Sequence, residues 1–208
     1  MKSVVHVVDD DESFQRSVSR LLSASGFEVA TFSSVEKFLN RADPSAPGCV
    51  VTDLQMPRQS GLHLQEALAR SRNPLPVVFL TSKGDIPTSV RAMRGGAEDF
   101  LTKRTPRAKL VEAINRALER DRQERASRAG REQAREKMST LSERERQVLD
   151  GVLRGRLNKQ IAEELGIAER TVKHHRTTLT QKLGVQSGAE LSLLVREAGF
   201  GSVAGGAI

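Results

Sequence analysis

Short apolar runs recur along the first half of the chain, and between them lie longer stretches in which apolar residues return every three or four positions. The runs are SVVHVV (3 to 8), FEVATF (27 to 32), CVVTD (49 to 53), PVVFLT (76 to 81) and EDFLTK (98 to 103). Runs this short and this rich in Val and Phe predict strands, and their nearly unbroken apolar character predicts burial on both faces, as in a parallel sheet. Between them, ESFQRSVSRLLSASG places Phe14, Val18, Leu21 and Leu22 on one helical face and closes at Gly26, a residue suited to ending a helix. GLHLQEALARS, IPTSVRAMRGG and PRAKLVEAINRAL behave likewise. Five strands alternating with helices describe an α/β domain over residues 1 to 120, with a five-stranded parallel sheet covered on both sides.

After Leu118 the apolar stripe stops, and ERDRQERASRAGREQAREK (119 to 137) consists almost wholly of charged residues and Ala. Arg and Glu at helical spacing predict a solvated helix that continues the last helix of the α/β domain, with Gly130 as its weak point. Residues 121 to 138 therefore read as a charged helical linker; a coiled coil would need apolar a and d positions that this segment lacks. From Ser139 onward SERERQVLDGVLRG, NKQIAEELG, ERTVKHHRTTLTQKLG and SGAELSLLVREAG predict four short helices, a small all-α domain over 139 to 200. The last residues, 201 to 208, read as a flexible tail.

Composition adds three constraints. With no Trp, no Tyr and seven Phe, both cores must be aliphatic, and the single Cys49 excludes an internal disulfide and reads as a small buried hydrophobe. No apolar run approaches the roughly 20 residues of a membrane span. The start, MKSVVHVVDDD, turns acidic too soon for a secretory signal, so the expected location is the cytoplasm. The net charge of +7, of which +3 falls in residues 1 to 118 and +4 in 119 to 208, makes a polyanionic partner plausible.

The chemistry concentrates at predicted strand ends. In a parallel α/β sheet, ligands bind at the carboxyl ends of strands, where the strand order reverses. Asp9 and Asp10 end the first strand and Asp53 the third, so their carboxylates converge. Three acids together at neutral pH call for a cation, and a hard divalent ion such as Mg2+ suits them. Thr81 ends the fourth strand and Lys103 the fifth, adding a hydroxyl and an ammonium to the same rim. Such a set fits phosphoryl chemistry, in which charge on three equatorial oxygens has to be neutralised. Asp11 and Glu12 read differently, as acids at the positive end of the following helix.

VVDDDES, VTDLQMPRQSG, FLTSKGD and GGAEDFLTK stand in the order and at the spacing of the receiver domain of two-component response regulators, and residues 3 to about 120 resemble that family. The resemblance implies a flavodoxin-like, doubly wound fold and makes Asp53 the acceptor of a phosphoryl group from a histidine kinase. It also implies Mg2+ binding by Asp10, Asp53 and the backbone carbonyl of Gln55, with Asp9 acting through water. Lys103 would pair with the phosphoaspartate, Thr81 would move to hydrogen-bond it, and Phe100 would swing into the vacated space. One position departs from the family pattern: LTKRTP has Arg104 where a cis proline usually follows the lysine. A cis bond before a residue other than proline costs ~2.5 to 4 kcal/mol, so this loop is either trans and differently shaped or strained.

LSERERQVLDGVLRGRLNKQIAEELGIAERTVKHHRTTLTQKLGV resembles the LuxR-type helix-turn-helix output domain, which places the chain with the NarL/FixJ class. Independently, Ile161, Ala162, Leu165, Ile167, Val172 and Leu179 have the spacing of two helices packed across a tight turn at Gly166. The segment Arg170 to Lys182 carries Arg170, Lys173, Arg176 and Lys182, two histidines and no acid, which suits the major groove of DNA. By the family's pattern Lys173, His174 and Thr177 face bases, Lys159, Arg176 and Lys182 touch phosphates or solvent, and His175 packs inward. Ala168 stands where the family often has a capping Ser or Thr.

These readings describe a phosphorylation-controlled transcription factor rather than an enzyme. Its expected partners are a histidine kinase, promoter DNA, a second copy of itself after phosphorylation, and RNA polymerase. The dimer surface expected from the family spans roughly residues 86 to 105. Two other readings stand beside it. One is a DNA binder independent of phosphorylation, whose receiver only dimerises, encouraged by Arg104. The other is a Mg2+-dependent phosphatase or phosphotransferase, which would need a second Asp two residues past the nucleophile, where this chain has Gln55.

Overall fold

The computed structural model describes residues 2–43, 46–82 and 84–200, so the expected flexible tail lies outside the described residues. The chain divides into two units, Met1–Arg125 and Ala126–Ile208. Among the described residues no helix is long and apolar enough to cross a membrane.

The first unit contains β1 (Val4–Val8), α1 (Glu12–Ser23), β2 (Glu28–Phe32), α2 (Val35–Arg41), β3 (Gly48–Thr52), α3 (Gly61–Ala69), β4 (Val77–Thr81), α4 (Ile86–Arg94), β5 (Asp99–Thr102) and the first part of α5 (Arg107–Ser139). All strands pair in parallel in the order β2-β1-β3-β4-β5. Each predicted strand is present within a residue of its expected ends. The apolar runs are continuous because successive side chains enter two different cores. Val5, Val7, Cys49, Val51, Val78 and Leu80 pack with Val18, Leu22, Leu110 and Ile114 from α1 and α5. Val8, Val50, Val77 and Phe79 pack instead with Val35, Phe38, Leu64, Leu68 and Ala92 from α2, α3 and α4. Helix α2 showed no separate stripe in the sequence, since at seven residues it offers only Val35 and Phe38 to the core, after a Ser34 cap. The register pairs Val8 with both Phe32 and Thr52, and Thr81 with Thr102, so the residues leaving these strands emerge along one edge.

Helix α5 runs unbroken through Gly130 and corrects one expectation: its charged stretch is not solvated throughout. In the first unit Asp121 is buried and accepts a hydrogen bond from the Gly48 N–H at 2.9 Å. Arg125, one turn later, pairs with Asp121 at 2.8 Å and donates to the Ala46 carbonyl at 2.7 Å. In the second unit Ala134 and Met138 of the same helix are buried in the core. Two buried residues four apart make a stripe too narrow to stand out in a run of Arg and Glu, and a buried ion pair gives no hydrophobic signal at all.

The second unit adds α6 (Glu143–Leu153), α7 (Asn158–Leu165), α8 (Glu169–Leu183) and α9 (Gly188–Glu197). Their core joins Val148, Leu149, Ile161, Val172, Leu179, Leu183, Leu191 and Val195, aliphatic as the composition requires. Gly166 ends α7 at φ 64°, a left-handed conformation that glycine adopts without steric cost, and so turns the chain into α8.

Candidate functional site

Asp53 follows β3 directly; its N–H donates to the Val8 carbonyl at 3.0 Å, continuing the β1–β3 pairing by one residue. A Cβ at Gly61 would lie 2.2 Å from the Asp53 carbonyl oxygen, so only glycine lets α3 start this close to the site. Asp9 is buried after β1. Its N–H donates to the Phe32 carbonyl at 3.1 Å and its Oδ1 accepts from the Asp11 N–H at 3.0 Å. The Gln15 amide, buried on α1, donates to the Asp9 carbonyl and, at 2.8 Å, to that of Phe32. Asp10 is exposed on the rim.

Carboxylate oxygens of Asp9, Asp10 and Asp53 all lie within 4.8 Å of one another. Lys103 Nζ lies 2.6 Å from Asp9 Oδ2 and 2.8 Å from Asp53 Oδ2. Three carboxylates against one ammonium leave two negative charges among hard oxygen donors, a set that fits one divalent cation of the Mg2+ type. Burial pushes the Asp9 carboxyl above its usual range, and the hydrogen bond and charge of Lys103 only partly offset it. Burial works against the Lys103 ammonium, but its bonds to Asp53 and Asp9 prevail and raise its pKa.

Thr81 is buried at the end of β4, on the same edge. The Gln55 N–H points back to Asp53 Oδ1 at 3.3 Å. Phe100 is half-buried on β5, its ring centroid 5.8 Å from that of Phe79. Of the two alternatives for the Arg104 loop, the trans one is present, for every peptide bond among the described residues is trans. The Lys103 N–H donates to the Thr81 carbonyl at 2.8 Å and Thr105 N–H to the Thr102 carbonyl at 2.9 Å, which holds the loop without a proline at 104. Two site neighbours escaped the sequence reading. Gln15 gave no signal, and Phe14, read as part of an apolar helix face, has its ring centroid 4.2 Å from Lys103 Nζ.

In the second unit Lys173, His174 and Thr177 are exposed on α8, and Lys159 is exposed at the start of α7. Arg176 and Lys182 are engaged within the domain. Arg176 Nη1 donates to Asn158 Oδ1 at 2.7 Å. Lys182 Nζ lies 2.8 Å from Glu145 Oε2, and this bond holds the Glu145 carboxyl below the usual carboxylate range. Glu145 also closes the capping box of α6 with Ser142, so Lys182 ties α8 to the start of α6. His175 is half-buried, and Ala168 caps α8 without a side-chain hydrogen bond.

Residues 5–115 match the response regulator receiver domain, and residues 139–195 match the bacterial regulatory proteins of the luxR family. The transcriptional regulatory protein FixJ of Rhizobium meliloti is 39% identical over 197 residues, 95% of this chain and 97% of that protein. Nodulation protein W of Bradyrhizobium diazoefficiens is 42% identical over 190 residues, 91% of this chain and 84% of that protein. Among solved structures, the response regulator StyR shares 46% identity at a TM-score of 0.86, covering 95% of this chain and 100% of that one. Full-length FixJ from B. japonicum shares 34% at a TM-score of 0.58, covering 96% and 98%. An acidic strand-end site in one unit and a helix-turn-helix in the other, each within its matching segment, make this chain a member of the NarL/FixJ class of response regulators, with a receiver domain and a LuxR-type DNA-binding domain.

Proposed function

We propose that Asp53 accepts a phosphoryl group from a histidine kinase and that the acyl phosphate so formed promotes dimerisation and promoter binding. The observation that carries this reading is the convergence of Asp9, Asp10, Asp53 and the Lys103 ammonium at one strand edge. An Asp53 carboxylate oxygen attacks phosphorus, the bond from phosphorus to the kinase's imidazole nitrogen breaks, and that nitrogen regains a proton from solvent. Asp9, Asp10, Asp53 and the Gln55 carbonyl would hold Mg2+, which when bound supplies neutralising charge for the phosphoryl oxygens. Lys103 balances the charge that then sits on Asp53. Thr81, buried beside the site, supplies the hydroxyl that turns toward the phosphoryl group, and Phe100 follows into the space it leaves.

Helix α4 carries Ile86, Val90 and Met93 at helical spacing, 79%, 43% and 46% exposed. This apolar stripe supports the face of α4 and β5 as the dimer surface. On DNA, Lys173, His174 and Thr177 would read bases in the major groove and Lys159 would contact phosphate, with two domains on half-sites about one helical turn apart. Arg176 and Lys182 serve the domain's own packing more than the DNA, given their partners Asn158 and Glu145. A receiver that only dimerises drew its appeal from Arg104; Lys103 bonded to Asp53 across a trans loop speaks for the phosphorylated route.

Incubating the full chain with acetyl phosphate and Mg2+ tests this reading by intact mass. The expected result is one added phosphoryl group on the wild type and none on Asp53→Asn. No addition to the wild type, or equal addition to both, overturns it.

A further inference from the structure

Lys103 reaches the acidic site at the end of a flexible four-carbon stem, and a freely rotating stem leaves an ammonium without a fixed direction. Its two carboxylate contacts, to Asp9 and Asp53, belong to groups that a cation and a phosphoryl group would engage in turn. A contact that persists while those partners are occupied has to come from something that binds neither metal nor phosphate. Phe14 is that contact: its ring centroid lies 4.2 Å from Nζ, inside the range in which an ammonium is attracted to an aromatic face.

The ring is itself half-buried. Phe14 stands in the first turn of α1, its N–H donates to Asp11 Oδ1 at 3.1 Å, and its side chain packs against the apolar layer under α1 and α5. Asp11 thus holds the backbone of Phe14, and Phe14 faces Lys103. Backbone hydrogen bonds hold the loop around Lys103, but they fix the main chain and not the four-carbon stem, so side-chain contacts aim the ammonium.

We infer that Phe14 is a positioning residue for Lys103, holding the ammonium over the phosphoacceptor through a cation–π contact; this rests on the reading of Asp53 as phosphoacceptor and Lys103 as its counter-ion. Phe14→Leu keeps an apolar side chain in the helix stripe and removes the aromatic face, whereas Phe14→Tyr keeps the face.

The test measures the initial rate of phosphorylation of the full chain by acetyl phosphate with Mg2+, at matched folded fraction from circular dichroism. Phe14→Leu is expected to slow phosphorylation about fivefold, the size of a partly desolvated cation–π contact, and Phe14→Tyr to restore most of the rate. In a Lys103→Met background the Phe14→Leu change should lose its effect, because the two residues act as one unit. A wild-type rate for Phe14→Leu, an equal fall for Phe14→Tyr, or an undiminished effect in the Lys103→Met background each overturns the assignment. Wild type and Asp53→Asn run alongside: failure of the wild type to gain phosphate, or equal gain by Asp53→Asn, overturns the phosphoacceptor reading instead.

Discussion

Two adjacent aspartates, Asp10 and Asp11, carry the same side chain into different chemistry. The first lies with Asp9 and Asp53 in the acidic cluster; the second accepts hydrogen bonds from the Ser13 and Phe14 N–H groups and caps α1. The division follows from where β1 ends and α1 begins, which the alternation of apolar and polar residues already indicated. His6 has no such polar role. It is 5% exposed on β1 beside the rings of Phe32 and Phe38, its ring nitrogens without hydrogen-bond partners, and burial lowers its pKa. The unfolded chain therefore binds a proton that the folded chain resists, and stability present above about pH 6.5 is lost progressively as the pH falls below that value. The melting temperature is expected to decline between pH 6.5 and 5, and less steeply in His6→Leu. Parallel declines for both proteins would show that His6 does not drive the loss.

Among the elements, α8 combines exposure with weak local support. Ala168 takes up the extended cap conformation, φ −70° and ψ 145°, but offers no oxygen to the first turn. Ala168 is exposed, so Ala168→Ser adds a hydroxyl without crowding and should stabilise the DNA-binding domain by about 1 kcal/mol. Urea unfolding checks this; an unchanged midpoint would mean that Glu169 at the first turn already satisfies the helix end. Helix α5 shows the limit of pattern reading at this scale. Its charge run was legible as a helix, but Asp121, Ala134 and Met138 are buried for reasons that lie in other elements, such as the Gly48 N–H, whose hydrogen bond Asp121 accepts. The same limit applies to Arg176 and Lys182, whose bonds to Asn158 and Glu145 no linear pattern records.

For the whole molecule, the proposed activation by dimerisation would make the stripe on α4 the decisive surface. Val90 lies in the middle of it, between Ile86 and Met93, and is itself exposed, so a charge there should leave the isolated protein folded. After treatment with acetyl phosphate and Mg2+, Val90→Glu is expected to dimerise roughly tenfold more weakly than wild type in sedimentation equilibrium, since burying an unpaired carboxylate opposes association. Equal dimerisation would move the interface elsewhere.

The sequence by itself determined the kind of fold, the two domains and the strand-end residues Asp9, Asp10, Asp53, Thr81 and Lys103, because hydrophobic period and strand termini are local properties that a linear pattern records. Tertiary structure alone decided which charges are free and which are engaged. Lys103 bonded to two carboxylates and faced by Phe14, Lys182 held by Glu145, and Asp121 buried against Gly48 all depend on groups from distant parts of the chain. A charged side chain looks the same in sequence whether water or a partner satisfies it, and only the folded arrangement of donors and acceptors tells the two apart.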